Sequence, residues 1–178
     1  MNPTLRLLAL AAAFALPSFA QHGHGHGHQQ AQGASPYAGQ QSRDIKALSE
    51  QEVRDLLAGA GMGFAKAAEL NRYPGPMHAL ELAERLELTT PQRQDLDALL
   101  QRHKARARVI GEQVVALERS LDALFARGTP NAVEVERLTA AIGAAQGRLR
   151  AEHLNTHLET TALLTPRQVE HYVKARGY

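Results

Sequence analysis

The chain has 178 residues, enough for one domain, and its 20 basic and 18 acidic residues leave a formal net charge of +2. That near-balance argues against an obligate nucleic-acid partner. The sequence contains no cysteine, so it can form no disulfide and offers no thiolate. Any metal site in this protein must therefore use His, Glu, Asp or Met.

The first 20 residues have the three parts of a secretory signal peptide. Arg6 and the amino terminus supply positive charge, residues 7–16 form an apolar core, and residues 18–20 form a small-residue cleavage site. This apolar core is too short to span a bilayer, which takes about 20 residues. The sequence therefore predicts a protein that is exported and cleaved after Ala20.

Residues 21–47 are predicted to be a disordered linker rich in His, Gly and Gln, because this composition cannot build a core. At its start, His22, His24, His26 and His28 alternate with glycine. Neutral imidazole is a good ligand for zinc, copper and nickel, and flexible spacing lets several rings surround one ion. The segment is either an auxiliary metal-binding tail or a soluble spacer.

Short helices are predicted after the linker. Ser49 and Glu52 form a capping-box pattern that begins the first, and this helix ends at the glycine cluster of residues 59–63. No strand precedes the cluster and its spacing is not that of a phosphate loop, so no nucleotide is expected. Two further helical segments are predicted at residues 64–71 and 77–86.

Two long helices between residues 89 and 164 form the centre of the predicted helical domain, residues 48–178. Gly128 suits the end of the first helix, and Thr129 is expected to cap the second. A turn this short makes the helices antiparallel neighbours, so the predicted fold is all-α with a long antiparallel helical hairpin. Apolar steps of three and four residues mark the facing sides: Leu96, Leu100, His103, Ala107, Ile110, Val114, Leu117, Leu121 and Leu124, then Val135, Leu138, Ile142, Ala145 and Leu149.

The pattern Leu-Thr-x-x-Gln occurs twice, once at each end of this helix pair. Thr89 with Gln92 precedes the first long helix, and Thr165 with Gln168 precedes the last helix, which is predicted to end near Arg176. In each copy the threonine hydroxyl can accept from the third helical amide while the glutamine reaches back to the threonine amide. Each copy therefore predicts a helix start.

With its signal peptide, its paired motifs at residues 88–92 and 164–168 and its helical hairpin, the chain resembles the Spy/CpxP family of periplasmic proteins. The resemblance covers roughly residues 77–178 and includes envelope-stress chaperones, heavy-metal sensors and zinc-resistance proteins. It implies a periplasmic protein with a four-helix hooked hairpin, its short helices flanking the long pair, that dimerises into a curved cradle. The implied function is either binding of a transition metal or ATP-independent holding of unfolded proteins.

Four histidines are candidate ligands of such a metal. His153 and His157 are one helical turn apart and share a face. The hairpin register places His103 between the positions level with them, in the apolar seam. If the helix of residues 77–86 folds back along the first long helix, His78 arrives nearby, with Glu81 on the same face. The alternatives are a hydrogen-bonded core histidine at position 103 and a solvent-exposed one at position 78.

The sequence thus predicts a protein that is not an enzyme, because no nucleophile and base occur at a recognisable spacing. The resemblance implies that this protein is periplasmic. The first hypothesis is a sensor or buffer that binds zinc, copper or nickel. The second is a holdase chaperone whose histidines are incidental or regulatory. One expected partner is a second copy of the chain, contacted through an apolar stripe of Leu154 and Leu158. The others are either unfolded periplasmic proteins or a membrane-bound regulator. No nucleic acid is expected.

Overall fold

The structure is a computed structural model, and it describes residues 35–178. The predicted signal peptide and the tail histidines His22, His24, His26 and His28 lie outside the described residues. In the described part of the chain every regular element is a helix, as predicted. The helices are α1 (Glu50–Ala58), α2 (Lys66–Glu69), α3 (Pro76–Glu81), α4 (Thr90–Ala126), α5 (Ala132–Leu163) and α6 (Pro166–Arg176), with a 3-10 turn at Gln40–Ser42.

The two long helices, α4 and α5, pack against each other along their predicted seams. Arg102 of α4 pairs with Glu159 of α5 at 2.8 Å, and Gln113 of α4 accepts from Arg148 of α5 at 3.3 Å. Rising residue numbers in α4 therefore meet falling numbers in α5. The prediction of two long packed helices is confirmed, and the residues that α4 and α5 bury include Leu96, Ala107, Val114, Leu124, Leu138, Ile142, Ala145 and Leu149.

The connection between α4 and α5 differs from the predicted one in its cap. Gly128 has a φ of +77°, the left-handed conformation expected just past a helix end. The cap of α5 is Asn131, however, whose side chain accepts from the amide of Glu134 at 3.0 Å. The side-chain amide of Asn131 also donates to the Glu134 carboxylate at 2.8 Å. The prediction that Thr129 caps α5 is therefore wrong. Asparagine caps at least as well as threonine, and of the two residues only Asn131 has an acidic residue three positions later.

The short helices are shorter than predicted. α2 covers Lys66–Glu69 within the predicted segment 64–71, and α3 ends at Glu81 where the sequence indicated a helix to residue 86. Beyond Glu81 the chain turns, with Glu87 at a φ of +51°. This turn allows both Leu86 and Leu88 to be buried, which a continuing helix would prevent because it places residues two apart on different faces.

α1 packs across α4 at a point of very close approach. The capping box of Ser49 and Glu52 begins α1 as predicted. A Cβ atom added to Gly111 of α4 would lie 2.1 Å from the carbonyl oxygen of Leu56, so only glycine allows this crossing. The folded part also begins earlier than residue 48, since Ile45 is 2 % exposed and belongs to the core cluster beside α1. Within residues 35–178 no helix combines the length and apolarity needed to cross a membrane.

Candidate metal centre

One cavity of about 530 Å³ is lined by all four histidines that the sequence singled out in the folded domain. α3 contributes His78, α4 contributes His103, and α5 contributes His153 and His157, one turn apart. α5 places its histidines there because its seam changes from apolar to polar beyond Leu149. The cavity thus gathers side chains from three helices.

His103 has one ring nitrogen committed to a hydrogen bond. Thr156 Oγ1 lies 2.9 Å from His103 Nδ1, and the same hydroxyl donates to the Glu152 carbonyl at 2.8 Å. Because the hydroxyl hydrogen is used for that carbonyl, Thr156 accepts from His103 and Nδ1 carries the proton. The carboxylate of Glu152 lies 3.4 Å from the same nitrogen. In the neutral ring this arrangement leaves Nε2 with its lone pair available.

His153 is the most constrained of the four. His153 is 4 % exposed, and its Nε2 is a buried polar atom with no hydrogen-bond partner among residues 35–178. Burial, with smaller contributions from the neighbouring His103 and His157, lowers the pKa of His153 to about 4. The ring stacks against Phe64 at 5.6 Å and meets the His103 ring edge-on at 4.6 Å. His153 is therefore neutral at physiological pH, with an uncompensated nitrogen.

His157 and His78 also have Nδ1 engaged. His157 Nδ1 donates to the Tyr73 carbonyl at 2.7 Å, and its ring lies so close to Gly75 that an added Cβ would be 2.9 Å from Cε1. His78 Nδ1 donates to the carboxylate of Glu81 at 2.9 Å. Histidines that bind metals commonly donate the other ring N–H to a carbonyl or carboxylate in this way, which fixes the tautomer and the ring orientation.

The cavity brings together one part of the predicted ligand set, the four histidines, and leaves out another part, Glu81. The four histidines share the cavity, whereas Glu81 does not line it and instead contacts His78. Among residues 35–178, no group of three or more His, Asp or Glu side chains is spaced as a formed metal site. A metal in this cavity would therefore require the imidazoles to rotate toward a common point. The orphaned Nε2 of His153 fits that requirement.

Glu69 of α2 is a part of the cavity wall that the sequence did not indicate. Its carboxylate accepts hydrogen bonds from the hydroxyls of Tyr172 and Tyr178, lies 3.4 Å from the guanidinium of Arg176, and lies 3.5 Å from His157 Nδ1. Burial raises the pKa of Tyr172, and the Glu69 carboxylate raises it further. Glu69 therefore ties α2 and α6 to the histidine beside it.

The two Leu-Thr-x-x-Gln motifs meet in space. Thr89 and Thr165 each form a capping box with the glutamine three residues on. In addition, Gln92 donates to Gln168 at 2.9 Å and Gln168 donates back to Gln92 at 3.0 Å. Gln92 also donates to the Leu163 carbonyl at the end of α5, at 2.9 Å. The paired glutamines thus join the starts of α4 and α6, a contact that capping alone does not require.

Comparison of the chain with models of protein families, with curated proteins and with solved structures finds no match.

Proposed function

We propose that this protein binds a transition-metal ion in the histidine cavity, as a periplasmic sensor or buffer and not as an enzyme. The proposed ligands are His153, His157 and His103, joined by His78, which Glu81 orients. The observation that carries the proposal is the Nε2 of His153, which has no hydrogen-bond partner in the described part of the chain and is buried in a cavity that three more histidines line. The histidine tail at residues 22–28 would collect the same ions.

A buried polar atom without a partner typically costs about 1–3 kcal/mol. A purely structural histidine would be expected to find a hydrogen bond, as His103 does with Thr156. A metal ion would compensate the lone pair of His153, and zinc, copper and nickel all accept neutral imidazole. In His103, His157 and His78 the proton of the neutral ring is on Nδ1, so the lone pair of Nε2 is available to a metal. These tautomers support the same conclusion.

The proposal is tested by titrating the mature protein with zinc, copper and nickel, with and without residues 22–28. The double variant His153→Ala/His157→Ala should bind at least about tenfold more weakly, since each lost ligand removes a metal–nitrogen bond. His171→Ala is the matched control, because His171 is on α6 and does not line the cavity. Loss of all binding on deletion of residues 22–28 would show that the folded site does not exist.

We also propose that α4 and α5 form the hooked hairpin of the Spy/CpxP family and that two copies associate as a cradle. The short connection between the helices and the paired glutamines Gln92 and Gln168 support this assignment. Leu158 is 53 % exposed on α5 and Leu154 is half-buried beside it, which leaves an apolar stripe for a second copy. Light scattering should show a dimer that Leu158→Glu converts to a monomer; an unchanged mass for this variant would exclude the stripe as the interface.

Holding of unfolded proteins is the alternative function, and one surface favours it. Arg102, Lys104, Arg106 and Arg108 are exposed on α4 beside Val109, which is also exposed. Such a surface can attract a chain by charge and hold it by apolar contact. The protein would then suppress aggregation of an unfolding client in the absence of metal, and no suppression at several-fold excess would count against this function.

A further inference from the structure

The histidine cavity also contains the methionines of the folded domain. The chain has three methionines, and the two that follow Met1, Met62 and Met77, both line the same cavity as the four histidines. They are 39 % and 44 % exposed, so neither is a core residue. Resting on the proposed function, we propose that the cavity is a copper(I) site, in which the thioethers of Met62 and Met77 join imidazole nitrogens as ligands.

The chemistry of the side chains distinguishes copper(I) from the other candidates. Thioether sulfur is a soft, uncharged ligand that selects copper(I), whereas zinc is held by thiolate, imidazole and carboxylate, and nickel(II) favours harder nitrogen and oxygen ligands. The chain has no thiolate to offer. Methionine is thus the one soft ligand type available to the folded domain, and both methionines line the cavity that the imidazoles line.

The charges around the cavity favour a monovalent ion as well. Among the described residues, Lys66, Lys104 and Arg176 line it, against one lining carboxylate, Glu69. Arg176 and Glu69 lie 3.4 Å apart, which leaves the two lysine ammonium groups without a lining carboxylate to balance them. Repulsion from these charges is twice as large for a dication as for a monocation at the same position. Neutral sulfur and nitrogen ligands do not offset it.

The backbone conformation at Met62 suggests that a methionine side chain is needed at this position. Met62 has a φ of +44°, a left-handed conformation that residues other than glycine, asparagine and aspartate rarely adopt. Gly61 and Gly63 flank it, and glycine at position 62 would remove the strain. Methionine at this position instead keeps a thioether side chain among the residues that line the cavity, as does Met77, the second residue of α3.

The test uses the full mature chain with His22, His24, His26 and His28 changed to asparagine. Copper(I) affinity is measured anaerobically by competition with a colorimetric copper(I) chelator, and zinc affinity by competition with a zinc chelator. Met62→Leu/Met77→Leu preserves apolar volume and should weaken copper(I) binding by about tenfold or more while zinc affinity changes less than about threefold. X-ray absorption at the copper edge should detect sulfur neighbours in the parent protein that are absent from the double variant.

The outcomes separate the two proposals. If the double variant retains copper(I) affinity, or the parent protein shows no sulfur neighbour, the thioethers are not ligands and the copper(I) assignment is wrong. Zinc binding that depends on His153 and His157 would then leave the proposed function standing. If neither ion binds to the folded domain, both proposals fail. The thermal unfolding midpoint of each variant verifies that it is folded.

Discussion

Replacing His153 with leucine should make the metal-free protein more stable, and increasingly so as the pH falls. Leucine has a similar volume and would take the place of the imidazole that stacks on the ring of Phe64. It also removes the buried Nε2, which has no hydrogen-bond partner among the residues that the structure describes. At neutral pH, where the His153 ring is uncharged in both states, the gain comes from removing that atom. The typical cost of such an atom is roughly 1–3 kcal/mol, part of which is offset by changed packing.

The pH dependence gives the sharper magnitude. The unfolded chain takes up a proton near the ordinary pKa of 6.5, whereas folded His153 does so only at about 4. Because the unfolded state binds more protons in this window, the free energy of unfolding decreases as the pH falls through it. The interval between the unfolded-state pKa of about 6.5 and pH 5 is about 1.5 pH units. At about 1.36 kcal/mol per unit, the free energy of unfolding of the parent protein falls by roughly 2 kcal/mol over this interval.

The assay is urea unfolding of the metal-free parent protein and the variant in chelator-containing buffer, at pH 7.5 and pH 5. The stability difference between the two should widen by roughly 2 kcal/mol at the lower pH. Titratable groups away from His153 cancel in this difference, whereas His103 and His157 face the substituted position and contribute to it. His171→Leu serves as the control, since His171 lies outside the cavity. A His153→Leu difference that does not change with pH would refute the assignment of a buried, neutral His153.

Two further predictions concern the scaffold. Gly111→Ala should destabilise the protein by about 1–3 kcal/mol, because its Cβ would lie 2.1 Å from the Leu56 carbonyl oxygen. Gly143→Ala in α5 should instead stabilise the protein by up to about 1 kcal/mol, because its Cβ would meet nothing within 4 Å. Gln92→Ala should cost about 1–3 kcal/mol in thermal or urea unfolding through its lost cap and cross-helix bonds, and exposed Gln94→Ala should cost less than about 0.5 kcal/mol. Equal effects within either pair would contradict these assignments.

The long helices could be predicted because their signals are local and repeated. The seam from Leu96 to Leu124 repeats over several turns, and the capping boxes at Thr89 and Thr165 need only three neighbouring residues. The end of α3 had no such local signal. Residues 82–86 have a helical apolar pattern, but tertiary burial of Leu86 and Leu88 overrides it.

The histidines of the site could be predicted from the register of the long helices, but their surroundings could not. His103, His153 and His157 follow from which residues of α4 and α5 lie level. Glu69 depends on contacts with Tyr172 and Tyr178, about a hundred positions away in the chain, and no periodic pattern brings them together. The reciprocal bonds of the paired glutamines were missed for the same reason.

The change in the seam of α5 links the stability of the protein to the metal binding that we propose. Up to Leu149 the buried residues are apolar, and beyond it they are His153, Thr156 and Thr160. A sequence selected for stability alone would continue the apolar pattern, so the polar segment is where the metal binding that we propose would account for the departure from it. An ion that binds only the folded state raises its stability, by about 2.7 kcal/mol at a hundred times the dissociation constant. The thermal midpoint of the parent protein should therefore rise with added metal. The midpoint of His153→Leu, which is the more stable of the two proteins without metal, should rise much less. An equal rise in both midpoints would place the bound ion outside this cavity.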